Sequence, residues 1–392
     1  MTRTVSILGA TGSIGQSTAD VIKAHPDKFS VQAVTAYQNV DQLAQKAIEL
    51  NAKTAVIADN SLYGALKEAL SGYEIEAMAG EEALCEAASM PADIVMAGIV
   101  GMAGLKPLMA AIEQGGTVAI ANKEPLVAAG PIIMVAAAKS GATLLPVDSE
   151  HNAVFQVFDP AQKDNVERII LTASGGPFRT MGLAEMEKAT PQQALAHPNW
   201  SMGDKISIDS ATMMNKALEV IEAAILFDLP GEKIDVLIHP ESLIHSMVEY
   251  ADGSILTQMG AADMRTPITN VLGWPKRLAT PGQKLDFKLI QRMSFEQVDH
   301  DRFPSVRQAY RALEEGLHAC IAMNAVNEVA VQAFLAGKTG FLDIVRDVCH
   351  TLDRLEKETI QTLDDVLAYD ENIRRLYESE ILQENNKRRN LS

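Results

Sequence analysis

Hydrophobic positions in the first 150 residues fall into short runs, and amphipathic stretches separate these runs. The apolar runs lie at residues 5–8, 31–35, 54–57, 93–96, 117–120 and 143–146. Strands that alternate with helices are typical of a parallel, doubly wound sheet. We therefore predict an α/β fold whose N-terminal domain, residues 1–150, is Rossmann-like.

The hydrophobic pattern changes in the middle of the chain. Strand-like segments lie at residues 168–172, 236–238, 246–250 and 255–259. Asp252 and Gly253 lie between the last two segments and are typical of a two-residue hairpin turn. This pattern predicts a central α+β domain over residues 151–273, with a mixed or antiparallel sheet and helices on one side.

The last third of the chain loses the strand pattern. Proline and glycine punctuate residues 274–304, which we interpret as a linker. Helical periodicity then continues through residues 305–392, and this predicts a C-terminal helical domain. We expect residues 388–390, close to the end of the chain, to fray.

Charge narrows the classes of partner. The 392 residues include 51 acidic and 34 basic side chains, which gives a formal charge of -17. Such an excess disfavours nucleic acid and anionic membranes as partners, although a few local cations can still hold a small anionic substrate. No apolar run approaches the roughly 18 residues of a membrane span, so we expect none.

The three cysteines, Cys85, Cys320 and Cys349, show no metal-binding spacing. Their odd number favours a reducing compartment. The N-terminus enters a strand directly and shows no secretory signal pattern. These features together predict a cytoplasmic protein.

A glycine-rich loop follows the first predicted strand and opens a helix. Its sequence is GATGSIG at residues 9–15. A sharp turn at the N-terminus of a helix can bring backbone N–H groups to a pyrophosphate, which favours dinucleotide binding over a purely structural turn. The residues after the second strand, Tyr37, Gln38 and Asn39, are neither acidic nor basic and so do not distinguish NAD from NADP.

Two further segments end predicted strands of the same sheet. Residues 97–105 are rich in glycine and suit either close approach to a cofactor or close packing of helix on sheet. Lys123 follows the next strand, just before Pro125, which suits the first turn of a helix. Ligands of doubly wound sheets bind at this end of the strands, so Lys123 is a candidate to meet a substrate oxygen, although a solvated surface lysine is the usual alternative.

An acidic cluster ends the last strand of the first domain. Asp148 and Glu150 would share one face if the segment were extended. Two close carboxylates repel each other unless a cation lies between them, so this segment is either a polar loop or part of a site for a hard metal.

The remaining metal ligand is expected in the helical segment at residues 208–222. Its apolar stripe leaves Asn215, Glu219 and Glu222 on the opposite face, with Lys216 at the edge and Asp209 or Ser210 as the cap. The alternative is a solvated face. Glu219 is the preferred ligand because it lies one turn from both Asn215 and Lys216.

Two loops between these segments are also candidates. Ser174 is followed by two glycines, which suits a turn that binds an anion or a plain hairpin turn. Trp200 and Met202 lie between Pro198 and Gly203, a composition that suits either a mobile lid or a surface connection.

Together these segments resemble one family. GATGSIG, ANKE, PVDSEHNA, TASGGPF, HPNWSMG and SATMMNKALEVIEA occur in the order found in 1-deoxy-D-xylulose 5-phosphate reductoisomerases. The resemblance covers essentially the whole chain. It implies a homodimeric, NADPH-dependent enzyme with a divalent metal (Mg, Mn or Co), which converts a small phosphorylated sugar, 1-deoxy-D-xylulose 5-phosphate, to 2-C-methyl-D-erythritol 4-phosphate in non-mevalonate isoprenoid synthesis.

The resemblance also implies roles for individual residues. The metal ligands are Asp148, Glu150 and Glu219, and these three act in catalysis together with Lys123. The residues that match substrate contacts are Lys123, Ser149, Glu150, Ser174, His197, Trp200, Ser210, Asn215, Lys216 and Glu219. The residues that match nucleotide contacts are Thr11, Gly12, Ser13, Ile14, Asn39, Asn122, Glu124 and Gly203. Trp200 and Met202 match a flexible flap.

One position departs from the family pattern. Members often have Gly-Lys-Asn where this chain has Tyr37, Gln38 and Asn39, and the lysine helps to hold the 2′-phosphate of NADPH. We still expect NADPH to be preferred over NADH, through contacts other than that lysine.

Two other classes of protein compete with this interpretation. A semialdehyde-type NADP-dependent dehydrogenase also has a GATG-like loop, but it needs a nucleophilic cysteine and no metal. A nucleotide-sensing protein without catalysis would have no use for Asp148, Glu219 and Lys123 together. Sensitivity to a chelator separates the first alternative from the reductoisomerase.

Overall fold

The computed structural model describes residues 2–200 and 202–381. Within these ranges the chain forms two compact units. The first contains residues through Pro125, together with Ile133–Asn152 and Asp263–Lys284. The second contains Leu126–Ile132, Ala153–Ala262 and the described residues from Leu285 onward. The predicted fraying of residues 388–390 falls outside the described residues.

The first unit is built on a parallel sheet of seven strands, with helices between successive strands. The strands are β1 (Arg3–Leu8), β2 (Phe29–Ala36), β3 (Thr54–Ile57), β4 (Glu76–Ala79), β5 (Ile94–Ala97), β6 (Thr117–Ile120) and β7 (Thr143–Pro146). The helices are α1 (Ser13–Ala24), α2 (Val40–Glu49), α3 (Tyr63–Ala69), α4 (Glu81–Ser89), α5 (Leu105–Gln114), α6 (Glu124–Ser140) and α7 (Ser149–Val157). Both α6 and α7 contain residues of each unit.

The sheet order is β4-β3-β2-β1-β5-β6-β7, and every neighbouring pair is parallel. The central strands are buried on both faces, which explains their unbroken apolar runs. The order changes direction between β1 and β5. A doubly wound sheet binds its ligand at such a switch point, beyond the carboxyl ends of the strands. The predicted Rossmann-like fold is confirmed.

The second unit contains a mixed sheet. Its strands are β8 (Val166–Ala173), β9 (Ile234–Ile238), β10 (Ile244–Tyr250), β11 (Ile255–Met259) and β12 (Glu296–Gln297), in the order β11-β10-β8-β9-β12. Only β8 and β9 pair in parallel. The helices that precede β9 are α8 (Leu183–Met186), α9 (Pro191–Leu195), α10 (Asp204–Ala211) and α11 (Met214–Phe227).

The described part of the C-terminal region is helical, as predicted. Helix α12 (Arg265–Gly273) belongs to the first unit and packs against α1. The remaining helices, all in the second unit, are α13 (Ser305–Glu315), α14 (Leu317–Leu335), α15 (Phe341–Arg354) and α16 (Leu363–Leu376). Among the described residues, every helix is too short or too polar to span a bilayer.

Several sequence expectations need correction. β4 and β12 were not predicted, because one is half-exposed and the other is only two residues long. The β10–β11 hairpin forms, but its turn is longer than two residues: Gly253 N donates to Tyr250 O, and Tyr250 N donates to Ser254 O. The left-handed φ of +83° at Gly253 completes this wider turn.

Candidate active site

The glycine loop lies between β1 and α1, at the switch point of the first sheet. Gly9 has a φ of +85°, and a Cβ at this position would lie 2.7 Å from Gly98 O. A Cβ at Gly15 would lie 2.4 Å from Gly9 O. Neither position can hold a side chain without moving the backbone. The loop that follows β1 therefore packs closely on the loop that follows β5.

This loop also fits a dinucleotide. Gly12 precedes α1 and brings no capping side chain, so the backbone N–H groups in the first turn of α1 can face a phosphate. Thr11 and Ile14 are half-buried, whereas Gly12 and Ser13 are exposed. Thr35 Oγ1 accepts a hydrogen bond of 2.9 Å from Gly9 N and so ties the loop to β2.

The other predicted nucleotide contacts lie on several elements. Asn39 caps α2, because its Oδ1 accepts from Gln42 N at 3.0 Å. Asn122 Nδ2 donates to Gly101 O at 2.9 Å and also contacts Ile99 O. Glu124 is buried in the first turn of α6. Gly203 immediately precedes α10 in the second unit.

Residues 97–105 show close packing. A Cβ at Gly104 would lie 2.6 Å from Ile99 O and 3.0 Å from Asn122 Nδ2. Gly98 N donates to Leu8 O and continues the hydrogen bonds between β5 and β1. This segment therefore packs closely on the loop after β1 and on Asn122, which is close packing of loop on loop and not the expected packing of helix on sheet.

Lys123 is a buried member of an ion pair, not a solvated surface lysine. Its Nζ lies 2.6 Å from Asp148 Oδ2. Asp148 follows β7, the strand next to β6, and Lys123 lies just before α6. Neighbouring parallel strands thus bring the two residues together, because both lie beyond the carboxyl ends of those strands.

Asp148 is held in its ionised form. Burial alone would raise the pKa of this carboxyl, but the charges of Lys123 and His151 outweigh burial and lower its pKa well below the ordinary value. His151 Nδ1 lies 4.0 Å from Asp148 Oδ1 and is fully buried. Sequence reasoning missed His151. The sequence could have indicated it, because a residue three positions after Asp148 lies close to that side chain when a helix begins at Ser149.

The predicted extended geometry at residues 148–150 is wrong. β7 ends at Pro146, and α7 begins at Ser149, so Glu150 lies in the first helical turn. Glu150 N donates to Asp148 Oδ1 at 3.3 Å, and Ser149 Oγ donates to Glu150 Oε2. The two carboxylates and Ser149 therefore lie in a strand-to-helix turn.

The second unit contains the other predicted carboxylate. Asn215 Nδ2 and Lys216 Nζ donate to the two carboxylate oxygens of Glu219. Lys216, Glu219 and Glu222 are all buried, so this face of α11 is not solvated. Asn215 and Lys216, which lie one turn from Glu219 in the sequence, therefore contact it directly.

The predicted helix cap is wrong. Asp209 and Ser210 belong to α10, and α11 begins after Met213, whose φ of +60° breaks the helical path. Asp209 is buried, where it pairs with Lys205 at 2.8 Å and accepts from Asn327 Nδ2 at 2.9 Å. Ser210 is half-buried near the end of α10.

Ser174 and His197 meet in the second unit. His197 Nδ1 accepts from Asn199 N at 3.2 Å and from Trp200 N at 2.9 Å. This leaves the proton of a neutral ring on Nε2, which lies 3.0 Å from Ser174 Oγ. Burial lowers the pKa of His197 and so favours that neutral ring.

Trp200 and Met202 are each half-buried. The Trp200 ring lies 6.0 Å from the His245 ring, centroid to centroid. Asn199 Nδ2 donates to Pro240 O at 2.8 Å and to Ser242 Oγ at 2.9 Å. These contacts hold the segment beside the loop that connects β9 and β10.

The cysteines do not suit a nucleophilic role. All three are free and lie on α4, α14 and α15. Burial raises the pKa of Cys85 and Cys349, and it raises that of Cys320 to about 12. Catalytic cysteines need a lowered pKa, so these thiols disfavour the dehydrogenase alternative.

Comparison with known proteins agrees with these features. Profiles of 1-deoxy-D-xylulose 5-phosphate reductoisomerase match residues 5–130, and profiles of its C-terminal domains match residues 144–227 and 259–376. The reductoisomerase of Zymomonas mobilis is 57% identical over 372 residues, which cover 95% of this chain and 96% of that protein.

Solved structures give the same result. The structure of the Zymomonas mobilis reductoisomerase in complex with NADPH has a TM-score of 0.91 at 54% identity, over 96% of this chain and 98% of that one. A reductoisomerase in complex with NADPH, fosmidomycin and magnesium has a TM-score of 0.92 at 40% identity, over 97% and 98%. The chain belongs to the 1-deoxy-D-xylulose 5-phosphate reductoisomerase family.

Proposed function

We propose that Asp148, Glu150 and Glu219 together bind the divalent cation that this reductoisomerase uses. The protein converts 1-deoxy-D-xylulose 5-phosphate to 2-C-methyl-D-erythritol 4-phosphate with NADPH, in non-mevalonate isoprenoid synthesis. The observation that carries the proposal is Asp148, whose side chain is only 11% exposed and which Lys123 holds in its ionised form. A carboxylate kept anionic away from water is a suitable ligand for a hard cation.

The donor chemistry supports this proposal in each unit. Asp148 and Glu150 supply carboxylate oxygens from one strand-to-helix turn. Glu219 supplies two more, both fixed by hydrogen bonds from Asn215 and Lys216. Oxygen donors of this kind suit Mg²⁺, and we include Mn²⁺ and Co²⁺ as alternatives.

When bound, the cation supplies Lewis acidity and NADPH supplies hydride. Lys123 is already desolvated, so its ammonium can stabilise negative charge that develops on a substrate oxygen without first losing water. His197, in its neutral form, donates from Nε2 to an oxygen acceptor, and Ser174 Oγ occupies that position here.

We assign the substrate phosphate to groups of the second unit. Hydroxyl, imidazole, amide and ammonium donors come from Ser174, His197, Ser210, Asn215 and Lys216. Ser149 and Trp200 are further substrate contacts. Binding energy from a phosphate far from the reacting carbons can orient the substrate and so raise the rate. The segment with Trp200 and Met202 would exclude water as a flap.

For the nucleotide we propose Thr11, Gly12, Ser13, Ile14, Asn39, Asn122, Glu124 and Gly203. The loop after β1 supports this assignment, because its two crowded glycines and the open start of α1 suit a pyrophosphate. We also propose a cytoplasmic homodimer, and its three free thiols fit a reducing compartment.

The direct test is an assay with 1-deoxy-D-xylulose 5-phosphate, NADPH and Mg²⁺ that follows the loss of NADPH absorbance and identifies the product. We expect 2-C-methyl-D-erythritol 4-phosphate, loss of activity with a chelator, and recovery when Mg²⁺ returns. Activity on an acyl phosphate or semialdehyde that survives the chelator would favour the dehydrogenase alternative. The Cys85→Ser variant, at a half-buried thiol, serves as a control and should retain full activity.

A further inference from the structure

The ends of β2 and β3 bring together two residues outside the proposed catalytic groups. Ala36 and Ile57 are register partners in the parallel β2–β3 pair. Gln38 and Asp59 each lie two residues further on, and Gln38 Nε2 donates to Asp59 Oδ2 at 3.3 Å. Asp59 N also donates to Tyr37 O at 3.2 Å. The register of the sheet therefore fixes the Gln38–Asp59 pair.

Asp59 carries a fixed negative charge. Ser61 N and Ser61 Oγ donate to its Oδ1 at 2.9 and 2.6 Å, and these bonds, with that from Gln38, lower its pKa. The carboxylate is accessible to solvent and fully ionised at neutral pH. Neither residues 35–39 nor residues 58–63 contain a lysine or arginine that could balance this charge.

The segment after β2 is where a dinucleotide-binding sheet distinguishes the two nicotinamide cofactors. A basic side chain there accommodates the 2′-phosphate of NADPH, and an acidic one suits the ribose hydroxyls of NADH. Here Gln38 presents no charge, and its amide is engaged by Asp59. The charged group that contacts Gln38 is therefore negative.

We propose that Asp59 is a specificity-determining residue, whose negative charge weakens binding of the 2′-phosphate and so narrows the preference for NADPH over NADH. This inference rests on the proposed nucleotide site after β1 and β2. The mechanism is repulsion between a carboxylate and a phosphate across water, so it should weaken as salt increases.

The test measures binding and not turnover. Dissociation constants for NADPH and NADH are determined by isothermal titration calorimetry on the full chain at low ionic strength and at high salt. Asp59 caps the short 3-10 helix Asn60–Leu62. The variant is Asp59→Asn, which removes the charge and keeps an oxygen for Ser61, because asparagine caps a helix as well as aspartate does. Asp27→Asn is the matched control, because Asp27 is exposed at the opposite end of β2.

We expect Asp59→Asn to tighten NADPH binding about threefold or more at low ionic strength, with NADH within about twofold and most of the gain lost at high salt. Asp27→Asn should change neither constant. If Asp59→Asn lowers the melting temperature, Asp59→Ser provides a second neutral cap for the same comparison.

Two kinds of failure can be distinguished. If the unaltered protein binds NADPH but Asp59→Asn leaves the ratio of the two dissociation constants unchanged, or shifts both equally, the role of Asp59 is overturned and the nucleotide site stands. If the unaltered protein binds neither cofactor, the proposed nucleotide site itself is wrong.

Discussion

Lys123 Nζ lies 2.6 Å from Asp148 Oδ2, and the two side chains expose only 7% and 11% of their surfaces. Each partner compensates for the desolvated charge of the other. The net contribution of a buried ion pair to the free energy of unfolding is small. Removal of one partner is nevertheless costly, because the other charge is then left buried without compensation.

Lys123→Met should therefore inactivate the enzyme and lower the free energy of unfolding by about 3 kcal/mol. The double variant Lys123→Met/Asp148→Asn should recover much of that stability and none of the activity. Lys139→Met is the control, because Lys139 is exposed in the last turn of α6, the helix that Lys123 precedes. Denaturant unfolding and the NADPH assay measure the two effects. Equal losses for Lys123→Met and Lys139→Met would contradict the account.

Glu219→Gln should remove most activity, and it should also reduce stability. The exposed fraction of Glu219 is 0%, and its carboxylate faces Lys216, which a neutral amide leaves without full compensation. We expect a loss of about 2 kcal/mol, unlike the small cost of a change on a solvated face. Thermal melting and turnover at saturating metal measure both effects.

Glu222→Gln is the matched control for that variant, because Glu222 is also buried on α11. It should keep substantial turnover. Near-normal activity of Glu219→Gln together with an inactive Glu222→Gln would show that the metal ligand on α11 is Glu222.

Gln38→Lys should tighten the binding of NADPH and leave that of NADH nearly unchanged, because a point cation attracts the additional phosphate. Asp59 lies close enough to compete for the new ammonium, so the gain should be larger when Asp59 is also changed to Asn. Calorimetric titration of both cofactors checks this. Equal gains for the two cofactors would mean that position 38 does not face the 2′-phosphate.

Trp200→Ala should leave the melting temperature nearly unchanged and lower kcat/KM by about tenfold or more, a loss of at least about 1.4 kcal/mol. Trp200 is half-buried, and its ring lies 6.0 Å from that of His245, so we expect the side chain to add little to stability. Proteolysis near Trp200 should slow when NADPH and a metal-chelating substrate analogue are added. A large fall in melting temperature with unaltered kinetics would show that the segment is structural.

The sequence predicted the doubly wound sheet well, because strands buried on both faces appear as unbroken apolar runs. β3, β6 and β7 have the predicted bounds. It missed β4, whose residues include Glu76 and whose side chains are half-exposed, since such a strand shows no apolar run. Residues 263–284 belong to the first unit, where α12 packs against α1. The two helices are far apart in the sequence, so no local pattern predicts this contact.

Residue types for the candidate site could be selected from the sequence, whereas their local geometry could not. Spacing along α11 selected Glu219, but it could not reveal that this face is buried, because burial depends on elements distant in sequence. The break at Met213 had no sequence signal, since a methionine rarely adopts a left-handed φ. His151 was missed because its effect on Asp148 appears only after α7 begins at Ser149.

Titration with Mn²⁺, followed by electron paramagnetic resonance, tests most directly the claim that three carboxylates hold one cation. We predict one bound ion per chain. Asp148→Asn, Glu150→Gln and Glu219→Gln should each weaken binding at least tenfold, while Glu222→Gln leaves it nearly unchanged. Undiminished binding by Glu219→Gln, or by both Asp148→Asn and Glu150→Gln, would contradict the proposed metal site.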